Sequence, residues 1–421
     1  MFRGEPPVKL YAVGEIVQTR CCIAGGGPAG MMLGYLLARA GVDVYVLEKH
    51  KDFLRDFRGD TIHPSTLQLM HELGILEEFL KMPHQKVLEL EGQVGSETVT
   101  IADFTHLPTH CRFLALMPQW DFLNFIAEKG RAFSQFHLIM SAEVIDLVEQ
   151  NGLVTGVLAS TQGGQMEIRA DLVVGADGRR SIVRERANLQ VIHLGAPMDV
   201  MWMRVSRLPS DPQQTFGHVE AGKIFVMLDR EEYWQCAYVI PKGSADEIRS
   251  RGIAEFRQEI LRLSPFLGAR VEELRDWKDV SLLTVAVDRL ARWSSPGLLC
   301  IGDAAHAMSP IGGVGINLAI QDAVATANLL AATLRQGRPS VDELTMVQKR
   351  REFPTRATQR MQVFIQDHVL ARVLNSEKPL SVPWPLKLFR RWRFLRRIPA
   401  RIVGMGFRPE HIRTPVLGNA A

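Results

Sequence analysis

The segment Gly25-Gly26-Gly27-Pro28-Ala29-Gly30 constrains this chain more than any other, because it fits G-x-G-x-x-G and stands between two elements of different periodicity. A short apolar run, Cys21 to Ala24, precedes it. A helical run rich in Met, Leu and Ala follows, then Gly41 as a stop and the alternating stretch VDVYVL. Residues 21–49 therefore read as a βαβ unit of about thirty residues, the size a parallel crossover needs. Gly25 suits a tight turn, Gly27 lets the backbone approach a pyrophosphate, and Gly30 and Gly34 let helix and strand pack closely. The free N–H groups at the helix N-terminus face the same point. Glu48, at the end of the second strand, is placed to accept hydrogen bonds from both ribose hydroxyls of an adenosine, which favours FAD or NAD over a 2′-phosphorylated nucleotide.

Composition bounds what surrounds this unit. A chain of 421 residues with 46% hydrophobic and 23% charged residues is expected to form a large composite domain or several packed units. The five cysteines, Cys21, Cys22, Cys111, Cys236 and Cys300, are scattered and sit in apolar runs, so they read as buried thiols and not as a disulfide framework or a zinc site; no metal is expected. The first twenty residues lack a leader-like apolar stretch, and we find no run of about 18 apolar residues, so a cytoplasmic location is expected. The net charge of +4 is local in origin. Residues 387–413 carry nine Lys or Arg against Glu410 alone, which leaves the remainder of the chain at −4 and argues against a nucleic-acid protein.

Further along, residues 65–80 place apolar side chains at helical spacing after Pro64, with Ser65 as a candidate cap. Residues 153–175 read as a hairpin running into a buried strand that ends at a glycine turn. From 199 to 240 come three extended runs rich in aromatic and β-branched residues, the pattern of an antiparallel sheet. A helical stretch over 245–263 follows, and residues 296–334 return to strand, loop and long helix. The chain thus enters a nucleotide-type domain, leaves it for a sheet domain and comes back.

Two later segments extend the first motif into a set. Ala176-Asp177-Gly178 in DLVVGADGRRSIVR and Gly302-Asp303 in LLCIGDAAHAMSPIGGVGINLAIQDA follow it in order. Together the three resemble the para-hydroxybenzoate hydroxylase family of single-component FAD monooxygenases, related to the ubiquinone-pathway hydroxylases, over roughly residues 20–335. The resemblance implies an α/β fold: a Rossmann-like FAD-binding domain with an inserted antiparallel β-sheet substrate domain and a helical C-terminal region. The expected boundaries are 1–83, 112–190 and 281–340 for the FAD-binding parts, 84–111 and 191–280 for the substrate domain, and 341–421 for the helical region with its basic tail.

Residue by residue, the resemblance implies that Gly25, Gly27, Pro28, Ala29 and Gly30 cradle the pyrophosphate and that Glu48 and Lys49 lie at the adenosine. Arg58, Gln119 and Val144 would reach the cofactor from neighbouring segments, with Asp177 and Gly178 from the second motif. Asp303 would bind the ribityl hydroxyls, while Gly312, Gly313, Val314, Gly315, Ile316 and Asn317 would wrap the flavin ring with backbone groups beside Pro310. His306 is expected to make structural hydrogen bonds, and no catalytic residue is assigned.

In that family a nicotinamide coenzyme reduces the flavin, oxygen adds at C4a, and the hydroperoxide delivers an oxygen atom to an electron-rich substrate. The implied function is hydroxylation of an aromatic, polycyclic or quinone-like molecule using NADPH or NADH; a reductase or dehydrogenase on the same fold, or a flavin-binding scaffold subunit, are the alternatives. Met227, Gln235 and Tyr238, with Pro310, are the candidate substrate-pocket residues. The basic tail, with Phe389, Trp392, Phe394, Leu395 and Ile398 among arginines, either docks on the body or touches a membrane surface.

Overall fold

We describe the computed structural model of the chain over residues 16–54, 61–95, 97–212, 216–377, 382 and 384–418. The fold is α/β. The opening strand β1 (Ile16–Ala24), helix α1 (Pro28–Arg39) and strand β2 (Val44–Glu48) form the crossover that the spacing of their apolar residues requires. β1 is central in a sheet whose parallel strands run in the order Leu298–Cys300, Gly164–Gly175, β1, β2, Phe136–Met140. The ends of these strands at Cys21–Ala24, Leu172–Gly175 and Leu298–Cys300 are buried on both faces, which is why they are continuous apolar runs, whereas the earlier residues of β1 and of Gly164–Gly175 alternate. All five cysteines are buried, Cys21, Cys22 and Cys300 in these strands, Cys111 in a loop and Cys236 in strand Tyr233–Pro241 of a second sheet, and none is bonded to another.

A seven-stranded sheet forms the middle of the molecule, in the order Val280–Leu283, Met198–Ser206, Tyr233–Pro241, Lys223–Asp229, Phe216–Glu220, Glu89–Val94, Glu97–Asp103. It is antiparallel except where Phe216–Glu220 runs alongside Glu89–Val94, the place where an early stretch of chain joins a sheet made mostly from a later one. One face carries Met203, Phe225, Met227, Trp234, Cys236 and Tyr238, covered by helices Ala245–Ser250 and Ile253–Leu263. The other carries Val200, Ile224, Ala237 and Val239 and faces back towards the nucleotide-type domain through Val285 and Ile311.

Helix α2 (Pro64–Glu72) begins with Pro64 in its first turn and His63 as the cap residue; Ser65 is buried within the first turn and is not the cap. Two long helices complete the body. Helix α3 (Val314–Gln336) is, with the turn before it, the one described segment long enough and on average apolar enough to cross a bilayer, although Asn317, Gln321, Asp322 and Asn328 interrupt its apolar run. It packs against α1 in the core, and that burial accounts for its composition. Helix α4 (Val341–Ile365) starts at a Ser340–Glu343 capping box and runs into a π-helical turn, Gln366–Leu370. Two short helices, α5 (Trp384–Arg391) and α6 (Arg397–Met405), close the C-terminal region against Glu97–Asp103 and α2.

Candidate active site

All three sequence motifs meet at the C-terminal ends of the parallel strands, the edge where open α/β sheets bind ligands. Gly25 adopts a φ of 107°, and a Cβ there would lie 2.4 Å from the Ala176 carbonyl oxygen, so the first glycine turn abuts the second motif. A Cβ on Gly30 would lie 1.9 Å from the Gly25 oxygen, and one on Gly302 would meet Ala29 Cβ at 3.2 Å. Gly27 differs from these. A Cβ there would meet nothing within 4 Å, so open space lies before the backbone at the point where α1 begins. Pro28 and Ala29 occupy the first turn of that helix.

Glu48 is buried at the end of β2, and its two oxygens accept the Gly26 N–H and the His50 N–H, each at 3.0 Å. The carboxylate is therefore fixed against the glycine turn before any ligand arrives. Lys49 beside it is exposed, 4.0 Å from Glu143, and Val144 is buried in the neighbouring strand Glu143–Gln150. Gln119 opens the helix Gln119–Arg131. Arg58 lies outside the described residues.

The second and third motifs are joined by charge. Arg179 Nε donates to Asp303 Oδ2 at 3.1 Å, and its Nη2 to the Met308 carbonyl at 3.3 Å. Asp177 accepts the Val183 N–H in the first turn of the short helix Ile182–Arg186, whose cap is Ser181, and burial pushes the Asp177 carboxyl above the usual range. Its other oxygen and Arg179 Nη1 are buried with no hydrogen-bond partner among the described residues. Gly178 takes a φ of 87° and is open around its Cα.

The loop after Asp303 turns through Pro310, then Gly312 and Gly313 at φ 76° and 61°, into the first turn of α3. A Cβ on Gly313 would press on the Thr61 side chain at 2.9 Å. The first-turn N–H groups of Val314, Gly315 and Ile316 lack helical acceptors. Asn317 spends its side chain internally: Nδ2 donates to the carbonyls of Thr61 and Gly313, and Oδ1 accepts the His63 N–H and the Thr66 hydroxyl. Its side chain thus ties the loop to the segment before α2.

Sequence reasoning missed what holds this loop from behind. Gln359, Gln362 and Gln366 are fully buried on one face of α4 and the π-turn. Gln359 Nε2 donates to the carbonyls of Asp288 and Ala307, Gln362 Nε2 to those of Ser309 and Ile311, and Gln366 Nε2 to the Ser309 hydroxyl. Their helical spacing was the available signal. A second buried set centres on Asp322, which accepts from His306 at 2.6 Å, from Arg351 at 2.9 Å and from the Gly302 N–H at 3.1 Å. Burial alone would raise the Asp322 carboxyl, but the paired His306 and Arg351 hold it below the usual range. His306 thus makes structural bonds.

Two of the candidate pocket residues lie elsewhere. Met227 and Tyr238 face the helix-covered side of the middle sheet, where Tyr238 donates to Glu259 at 2.9 Å and the Ser264 hydroxyl meets Met227 Sδ. Alternation along Tyr233–Pro241 puts Gln235 with Ala237 and Val239 on the opposite face, and its Oε1 accepts from Arg230. Pro310 lies beside Ile311, which packs on that opposite face.

The glycine cradle, the fixed acid at the end of β2 and the acid at the third turn fit a dinucleotide with a sugar-alcohol arm. Residues 18–361 match the model of the FAD binding domain family. The chain belongs to that family, the para-hydroxybenzoate hydroxylase-like FAD-dependent monooxygenases, and is an FAD-dependent oxidoreductase. It is 33% identical over 365 residues to 6-methylpretetramide 4-monooxygenase of Streptomyces rimosus, covering 86% of this chain and 87% of that one. It is 26% identical over 329 residues to dialkyldecalin synthase of Streptomyces rugosporus, covering 75% of this chain and 66% of that one. The crystal structure of PqsL, a probable FAD-dependent monooxygenase from Pseudomonas aeruginosa, superposes with a TM-score of 0.71 at 22% identity, covering 85% of this chain and 98% of that one.

Proposed function

We propose that this protein hydroxylates an aromatic, polycyclic or quinone-like molecule, using NADPH or NADH as electron donor and molecular oxygen. The observation that carries this reading is the apolar face of the middle sheet, Val200, Ile224, Ala237 and Val239, closing on Ile311 of the loop that follows Asp303. Leu370, Val373 and Leu374 pack on the same face, so a flat apolar molecule would enter beside them, covered by sheet on one side and meeting the loop on the other. The 6-methylpretetramide monooxygenase is named for a substrate of that kind, which supports the same class here.

FAD, when bound, supplies the electron transfer and oxygen chemistry. The chain's own residues would place it. The backbone at Gly25 and Gly27 and the start of α1 hold the pyrophosphate, Glu48 the adenosine ribose, and Asp303 the ribityl hydroxyls. The free N–H groups of Val314, Gly315 and Ile316 present donors, and the partial positive charge of the α3 N-terminus, to electron density on the ring. The apolar sheet face excludes water from the same chamber.

The test is oxygen consumption by the FAD-loaded protein with NADPH or NADH and a panel of polycyclic phenols, run under ¹⁸O₂ with mass spectrometry of the products. Label in a hydroxylated product supports the proposal. Coenzyme oxidation without label in any product favours the reductase reading. A second reading rests on the relative named dialkyldecalin synthase: conversion of a substrate without coenzyme or oxygen would place this chain with that kind of use of the fold.

A further inference from the structure

The last two helices present two unlike faces. Inward, α6 is docked: Ala400 is fully buried, and Gly404 sits where an added Cβ would meet Leu107 at 2.8 Å. The Val403 carbonyl accepts from His63 Nδ1 at 2.6 Å. Outward, Trp392, Phe394 and Ile398 are 48%, 60% and 58% exposed. Arg391, Arg393 and Arg401 are exposed among them, and no acidic residue occurs between Glu377 and Glu410.

Large apolar side chains left in water beside a cluster of arginines need a cover that is apolar within and anionic at its surface. We infer that this face, Arg391 to Arg401, is a docking surface for an anionic lipid bilayer, with α5 and α6 lying in the plane of the headgroups. A tight turn, Arg393–Arg396, joins the two helices, and Trp392 at its start is of the type that settles at a headgroup boundary. A polyanion such as nucleic acid suits the face less well, since Ile398 offers no stacking surface and the chain outside residues 387–413 is net negative. The expected cytoplasmic location then becomes the cytoplasmic side of a membrane.

The docked face is linked to the site. Ile402 and Val403 on α6 share a small cavity with Val314 and Asn317 at the start of α3. A bilayer beneath α6 therefore brings lipid-soluble molecules to the side of the protein that holds the glycine loop.

Flotation of the full FAD-loaded chain with vesicles tests this without reference to turnover. Phosphatidylcholine vesicles containing one third phosphatidylglycerol should bind at least about tenfold more tightly than phosphatidylcholine alone, and high salt should reduce that preference. The triple variant Trp392→Ser, Phe394→Ser, Ile398→Ser alters only exposed side chains. It should melt at the parent temperature and bind anionic vesicles about tenfold more weakly. The variant Arg391→Glu, Arg393→Glu, Arg401→Glu should lose the preference for anionic lipid. Failure to float, equal binding to both vesicle types, undiminished flotation of both variants, or retention of a DNA oligonucleotide without flotation would each overturn the inference.

Discussion

Arg179 and Asp303 form an ion pair across 124 residues of chain, the guanidinium Nε 3.1 Å from the carboxylate, and so join the turn after one parallel strand to the turn after the next. Both side chains are about one-third exposed, so the pair itself is worth about 1 kcal/mol or less. Replacing Arg179 with Ala should leave melting nearly unchanged and shift FAD affinity less than about tenfold. If Asp303 holds a ribityl hydroxyl as proposed, Asp303→Ala should weaken FAD binding by more than about tenfold, read by quenching of flavin fluorescence, because a direct charge-assisted bond would be lost. Equal effects of the two variants would mean that Asp303 serves the ion pair and not the cofactor.

Gly27 and Gly30 are three residues apart and should fail in opposite ways. Gly27→Ala meets no atom within 4 Å at a backbone φ of −75°, so the folded apoprotein should keep its stability or gain up to about 1 kcal/mol. The new methyl group would stand in the open space before the helix, and FAD affinity should fall sharply. Gly30→Ala places its methyl 1.9 Å from the Gly25 oxygen, so that variant should lose the fold and the cofactor together. Circular dichroism melts beside FAD titrations separate the two.

Asp322 is the shared acceptor of a fully buried set, and removing it leaves His306 Nε2 without its acceptor and Arg351 with only its longer contact to Glu410, at 3.5 Å. Asp322→Ala should cost about 3–5 kcal/mol in denaturant melts. Because Asp322 also accepts the Gly302 N–H, the residual folded protein should hold FAD less tightly.

His63 gives the protein an acid limit. Its Nδ1 must carry the proton it donates to the Val403 carbonyl, its Nε2 is buried without a hydrogen-bond partner among the described residues, and burial drives its pKa down to about 4 from 6.5. Between those values the unfolded chain binds the proton and the folded chain does not. Stability is therefore full above pH 6.5 and declines as the pH falls towards 4, by about 3 kcal/mol in all. His63→Phe should be less stable at pH 8 yet flatter between pH 7 and 5; an unchanged slope would assign the acid sensitivity elsewhere.

How far the residues alone reveal the site follows from where their partners lie. The first glycine turn, Glu48 and the crossover are local in sequence, so spacing was sufficient to read them. The middle strand Tyr233–Pro241 is different. It is buried on both faces, so its side chains carry no polar alternation, and Tyr238 could not be told from Gln235 without knowing which face the helices 245–263 would cover. Ser65 resembles a cap because serine caps helices, but Pro64 takes the first helical position and moves the cap two residues earlier, to His63. The glutamines of α4 are spaced as a stripe, yet the carbonyls they bind are some fifty residues away and are brought near only by the packing of α4 on the loop.

The π-helical turn at Gln366–Leu370 carries one residue more than a regular helix needs, and that extra residue sets the rotation of everything after it. Leu370, Val373 and Leu374 owe to it their place against the Val200, Ala237 and Val239 face of the middle sheet. Deleting a single residue from the turn would return the segment to α-helical winding and swing those three side chains by about 100°. A chain of this design could thus change the shape of its chamber by a change in length, leaving every side chain in the cofactor cradle as it was.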